Sequence, residues 1–167
     1  TGNIPDNNLE INKFGNLLCY TFTECNENSP LVQQLYRGII KNENGEVICQ
    51  SFGYTPEFAH TDDENLTKFV EPVLKFSECY VSYEGSIIRL FYNKTSDNAN
   101  TCWQLSTHRK IDSFNSRWGS SKSYGELFVN ALIEKDATLL EGNTKDDNGN
   151  FVYENVIEEY TIKNKFL

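Results

Sequence analysis

Methionine is missing from this chain of 167 residues. Without an initiator, the sequence reads as a processed product or as a piece excised from a longer polypeptide. Any run of about 18 apolar residues is also missing, which excludes a helical membrane span. The opening Thr1-Gly2-Asn3-Ile4-Pro5 lacks the basic and apolar regions of a signal peptide. No two of the five cysteines (Cys19, Cys25, Cys49, Cys79, Cys102) stand at CxxC spacing, and neither histidine, His60 or His108, joins a pair of cysteines at zinc-ligand spacing. A structural zinc site therefore has no ligand pattern. An odd number of widely spaced cysteines, several in apolar runs, reads as reduced core thiols of an intracellular protein and not as a disulfide framework. Without a secretory signal, the sequons at Asn65 and Asn93 count as chance. Glu141 to Asn150 is hydrophilic, but the order of acids that a calcium loop needs is not met there.

What is present is acid, with one exception. The net charge is −9, yet the stretch from Gly85 to Lys122 carries Arg89, Lys94, Arg109, Lys110, Arg117 and Lys122 against Asp97 and Asp112. That is 6 − 2 = +4, and the remainder must sum to −13. Trp103, His108, Phe114 and Trp118 are set into this strip. Such a strip on an acidic protein steers an anionic ligand to one place, although a solvated basic face around two core tryptophans has the same composition.

The local patterns predict one α+β domain, with a mostly antiparallel sheet and packed helices, behind a loose lead-in over residues 1–8. The run through Leu17-Leu18-Cys19-Tyr20-Thr21-Phe22 predicts a strand within Leu9 to Phe22. Asn28-Ser29-Pro30 predicts a helix start with proline at the first helical position, giving a short helix from Pro30 to Leu35. Tyr36 to Ile40 and Glu46 to Cys49 flank Asn44-Gly45, a hairpin signal resting on positive φ at both central positions. Ser51 to Asp63 predicts a loop with Tyr54 and Phe58 against the sheet, and Pro72 to Lys75 either a helical turn or the approach to a strand. Tyr80 to Phe91 reads as a strand pair or one bent strand, Asn93 to Asn100 as a polar turn, and Cys102 to Thr107 as the returning strand. Ser123-Tyr124-Gly125-Glu126 has capping-box form, and Tyr124, Leu127, Phe128, Ala131 and Leu132 recur at helical spacing, predicting a helix to about Lys135. Val152, Tyr153, Val156, Ile157 and Tyr160 predict a second amphipathic helix.

Leu35-Tyr36-Arg37-Gly38-Ile39-Ile40, a turn, Val47 to Phe52, and then Ser82-Tyr83-Glu84-Gly85-Ser86-Ile87-Ile88 form an ordered set. In order and spacing it resembles the front half of an RNA ligase of the covalent nucleotidyltransferase superfamily, over about residues 9–135. Thr107-His108-Arg109 has a counterpart there too. The resemblance implies an α+β fold of nucleotidyltransferase (ATP-grasp-like ligase) type. It further implies ATP and Mg²⁺ as cofactors if the domain is active, and a nucleotide with an RNA or DNA end as partners. Such enzymes open this motif with a lysine that attacks the α-phosphorus; Ser82 stands at that position and cannot form the phosphoramidate. The later glutamate-bearing and lysine-bearing strands of the family are not recognisable between Thr138 and Leu167. Lys110, with Asp112 two residues on and Arg117 downstream, is the alternative nucleophile, although the motif glycine is missing.

The resemblance assigns Arg37, Gly38, Glu84, Gly85, Arg89, His108, Arg109, Lys110 and Arg117 to nucleotide and phosphate binding, and Trp103 and Trp118 to base stacking. Each also has a plainer reading. Arg37 suits a phosphate by its planar fork or an ion pair with a surface acid. Glu84-Gly85 suits an ordinary turn, and Arg89 a strand position facing solvent. Trp103 and Trp118 suit the core. His108, Arg109 and Lys110 are consecutive, so within a strand they cannot all face one ligand. The segment from Arg117 to Ser121 suits a phosphate at a helix N-terminus, or simply caps that helix. Three functions follow: an active ligase-like nucleotidyltransferase, a catalytically degenerate relative that still binds nucleotide or nucleic acid, and an unrelated protein-interaction module.

Overall fold

The computed structural model describes residues 8–57, 61, 63–78, 80–81, 84–93, 103–140, 145–149 and 152–164. They form a mixed α+β structure with antiparallel sheets, as expected. The larger sheet has four strands in sequence order: β1 (Leu9–Phe14), β2 (Leu17–Phe22), β3 (Arg37–Asn42) and β4 (Val47–Cys49). The single strand expected within Leu9 to Phe22 is instead a hairpin, in which Leu9 faces Phe22 and Phe14 faces Leu17 across a Gly15-Asn16 turn. Gly-Asn is a hairpin-forming pair, and an apolar run read without it hides the reversal.

Helix α1 (Leu31–Leu35) lies where the Asn28-Ser29-Pro30 signal places it, but Pro30 is its cap and no side chain caps the end. The β3–β4 hairpin forms as expected by a different turn. Asn44 keeps a negative φ, and only Gly45 lies in the left-handed region at φ 81°. The Gly45 N–H donates to the Asn42 carbonyl at 2.9 Å, and the Asn42 side-chain oxygen accepts from the Glu46 N–H at 2.9 Å. This is a type I turn closed by glycine, and the ladder slips between Ile40 and Lys41 accordingly.

After β4, Ser51–Glu57 has no regular structure, and Tyr54 is tied down by its N–H to the Gln34 carbonyl at 2.8 Å. Phe58 lies outside the described residues. Asp63, expected at the end of this loop, opens helix α2 (Asp63–Val70), none of whose residues is buried. Leu74–Phe76 forms a 3-10 turn, which decides the Pro72 to Lys75 alternative in favour of the helical turn. The strand expected over Tyr80 to Phe91 shrinks to β5 (Arg89–Tyr92), which pairs with β6 (Trp103–Ser106). Ser82 and Tyr83, residues 94–102, on which all but Asn93 of the expected Asn93 to Asn100 turn falls, and Cys79 with Cys102 lie outside the described residues. Of the remaining thiols, Cys19 is buried and free, while Cys25 and Cys49 are free and half-buried.

The β5–β6 ribbon is covered on both faces. Leu90 and Leu105, paired across it, belong with Trp103 to a core shared with Val129, Leu132, Leu139, Val156 and Ile157. These last come from α3 (Tyr124–Lys135), the 3-10 turn Ala137–Leu140 and α4 (Tyr153–Lys163). On the other face Phe91 packs with Leu17, Cys19, Ile40 and Ile111, joining the ribbon to the larger sheet. Helix α3 has the expected capping box: the Ser123 hydroxyl accepts from the Glu126 N–H, and the Glu126 carboxylate accepts from the Ser123 N–H at 2.6 Å. Its buried face is displaced from the expected one, however. Gly125, Val129 and Leu132 are buried, whereas Leu127 is 43% exposed. The displacement follows from Gly125, whose lack of a side chain lets the Phe114 ring fill the space where a Cβ would stand. No helix among the described residues is long and apolar enough to cross a membrane.

Candidate anion-binding cleft

Two backbone segments meet at the edge of the core: the start of β3 and the turn that follows β6. The turn is closed by Thr107. Its N–H donates to the Lys110 carbonyl at 2.9 Å, and its hydroxyl accepts from the Lys110 N–H at 3.1 Å and the Arg109 N–H at 3.4 Å. Because this is a turn and not a strand, His108, Arg109 and Lys110 all line one cleft, contrary to the expectation that a strand would separate them. Thr21 of β2 donates to the His108 carbonyl at 3.0 Å, fixing the turn to the sheet.

Gly38 makes that approach possible. A Cβ there would stand 2.3 Å from the His108 carbonyl oxygen, and its φ of 82° is one that side chains disfavour. Gly38 is thus a packing residue that brings Arg37 beside the turn, and it does not line the cleft.

Arg89 is the clamp. It is 8% exposed, not on a solvent face as its apolar neighbours in sequence suggested. Its Nε donates to Ser106 Oγ at 3.1 Å, one terminal nitrogen donates to the Thr107 carbonyl at 2.6 Å, and the other to the Gly38 carbonyl. The guanidinium ties the ribbon, the turn and β3 together. Its expected place among the ligand-binding side chains is thereby corrected: it lies beneath the cleft and acts through its field. Among the described residues it has no carboxylate partner.

The cleft has a volume of about 610 Å³. Its cationic lining is Arg37, Arg109, Lys110 and Arg117, with His108, Trp118 and Tyr124 among its other walls. Among the described residues no carboxylate lines it, and none of those four cations is ion-paired. A concentration of positive charge on a protein of net charge −9 gives the cleft a local potential opposite to that of the rest of the surface, which draws anions to it. His108 shares this field. Its Nε2 lies 3.0 Å from Ser51 Oγ, and burial, then Arg89 and Arg37, hold its pKa below the ordinary 6.5. Trp118 is 83% exposed at the cleft. Trp103 instead packs on the core, edge to face with Tyr92 at 5.3 Å between centroids, and does not reach the cleft.

Other expected residues divide. Gly85 lines the cleft, and Glu84 is exposed outside its lining. Lys110 is exposed in the cleft, but Asp112 is not its partner: Asp112 accepts from the Phe114 N–H at 2.8 Å and from the Asn115 amide, and lines a different cavity. The amides at the start of α3 are not free for a phosphate. Those of Tyr124, Gly125 and Glu126 donate to the Ser116 carbonyl, the Ser113 carbonyl and the Ser123 hydroxyl. Ser51, Thr107, Ser116 and Tyr124 had drawn no role; Thr107 alone carried a local signal, since a threonine before two further polar residues favours a side-chain-closed turn. Among the described residues there is no cluster of three or more histidine, cysteine or acidic groups able to hold a metal. Among the described residues the cleft lining carries the charge to meet phosphate oxygens and holds no carboxylate of the kind through which proteins bind Mg²⁺.

No protein-family model matches the chain, and no solved structure does. Two curated proteins do. One, named immediate-early protein ICP-46 homolog, from Invertebrate iridescent virus 3, is 32% identical over 116 residues, covering 67% of this chain and 25% of its own. The second, of the same name from Invertebrate iridescent virus 6, is 31% identical over 115 residues, covering 66% and 24%. The chain therefore spans about a quarter of the length of the curated relatives it matches, and what it is similar to is that quarter of two iridescent-virus immediate-early proteins.

Proposed function

We propose that this domain is a ligase-like nucleotidyltransferase relative that binds a nucleotide and the phosphates of an RNA or DNA end in the cleft without forming a covalent lysyl-nucleotide. The observation that carries the reading is the set of four cations, Arg37, Arg109, Lys110 and Arg117, around an exposed indole, with no ion-pair partner and no carboxylate lining the cleft among the described residues. Phosphate oxygens satisfy the charges, and the Trp118 face offers a base a stacking surface. The order of motifs supports the ligase-like type, and Ser82 at the nucleophile position supports the loss of transfer chemistry.

Two measurements test the two halves. Short RNA with a 5′-phosphate is expected to bind at low salt, with affinity falling in the double variant Arg109→Ala, Lys110→Ala; no binding at low salt removes the reading. Incubation with ATP labelled at the α-phosphate and Mg²⁺ is expected to leave the protein unlabelled. Label that is stable to alkali, released by acid as a phosphoramidate is, and absent in Lys110→Ala would instead make Lys110 a nucleophile and the domain an enzyme.

A further inference from the structure

His108 stands in a wall common to two cavities. The main cleft and a neighbouring one of about 380 Å³ share Arg37, His108 and Arg109. The imidazole is held by one side-chain contact, Nε2 to Ser51 Oγ at 3.0 Å. Two arginines bear on it, Arg89 on β5 and Arg37 on β3, while Arg109 and Lys110 of its own turn and Arg117 line the same cleft. From the loop after β4, Glu57 and Tyr54 line the smaller cavity with it, as does Cys25, and Cys19 of β2 contacts its carbonyl. Neither Glu57 nor any other carboxylate is within ion-pair distance of it among the described residues.

A half-buried imidazole in the wall of a cationic cleft is placed to change charge when an anion enters. Burial first, then the field of Arg89 and Arg37, disfavours a proton on the ring; an anion placed among Arg37, Arg109, Lys110 and Arg117 offsets that field, and it gains a fifth positive partner when the ring takes a proton. We propose that His108 is a proton-linked ligand of the bound anion: occupancy of the cleft transfers one proton from solvent to the imidazole, so the site binds phosphates more tightly as pH falls. This rests on the anion-binding reading above and adds the residue that sets its pH response. The balance is one proton taken up per anion bound, with no bond broken in the protein. Within the interval between the ring's pKa in the empty and the occupied site, affinity changes by up to about tenfold per pH unit, and outside that interval it is flat.

The chain has two histidines, so the ring resonances of His108 are separable from those of His60 by NMR, a His60→Gln variant assigning them. The probe is a short oligouridylate without terminal phosphates, whose diesters do not titrate near neutrality. The His108 midpoint is expected to rise when the cleft is saturated, the binding enthalpy of the unmodified protein to depend on the ionisation enthalpy of the buffer, and His108→Gln to bind with no pH dependence over the same range. Binding with an unmoved His108 midpoint and a buffer-independent enthalpy overturns the proton linkage and leaves the anion-binding reading standing. No binding at any pH overturns both.

Discussion

Arg89 carries more of the architecture than any other charged side chain in the described structure. Three of its nitrogens hold Ser106, the Thr107 carbonyl and the Gly38 carbonyl. Arg89→Met keeps the volume but strands two carbonyls away from water, and is expected to destabilise by about 2–4 kcal/mol in urea unfolding. Gly38→Ala inserts a methyl 2.3 Å from the His108 carbonyl at a left-handed φ, and is expected to cost a similar ~2–4 kcal/mol. Both losses would appear without any ligand, because these residues build the cleft. Trp118→Ala should behave in the opposite way. An indole 83% exposed contributes little to folding, so its removal is expected to leave stability within about 0.5 kcal/mol of the parent while weakening nucleic-acid binding by roughly 1–3 kcal/mol per stacked base. Fluorescence-detected binding beside unfolding curves separates the two classes.

At the scale of elements, the short-range signals were legible and the covered faces were not. The capping box of α3 was readable because its partners are three residues apart; Ser123→Ala is expected to cost about 1 kcal/mol, measured by thermal or urea unfolding. The Glu126 carboxyl is held below its ordinary 4.5, first by the Ser123 N–H and then by its hydroxyl. A depressed carboxylate stabilises above its unfolded value and loses that contribution as pH falls through the folded one. The Glu126 contribution is therefore expected to disappear below about pH 4.5, and Glu126→Gln to flatten that part of a stability–pH curve. The β5–β6 ribbon was misread for a tertiary reason. A strand with one covered face alternates, but this ribbon lies between the larger sheet and the α3–α4 layer, so Arg89 between Ile88 and Leu90 is as interior as they are. The 107–110 turn was hidden likewise: its sequence is compatible with a continuing strand, and the Thr107 hydroxyl decides otherwise.

On the scale of the whole molecule, charge is segregated. A net −9 protein gathers four cations in one cleft, with no ion-pair partner among the described residues, so a long polyanion is expected to be attracted there and repelled elsewhere. Binding of single-stranded nucleic acid is accordingly expected to be salt-sensitive, with a log–log slope of about −0.7 per phosphate neutralised and no steeper than roughly −3 for the four cations. Affinity is expected to stop rising once an oligomer fills the cleft; a continued gain with length would place the contact over a wider surface. The sequence by itself determined the α+β class, the β3–β4 hairpin, the two late helices and the basic strip, because each depends on residues within a few positions of one another or on composition. Only the tertiary structure decided which parts of the strip act together. It withdrew Arg89 and Trp103 into the interior, turned Asp112 and the α3 amides to local hydrogen bonds, and set Arg37 beside His108, Arg109 and Lys110. The physical reason for that last juxtaposition is the close passage of Gly38 under the His108 carbonyl, a contact between residues 70 positions apart that no local pattern records.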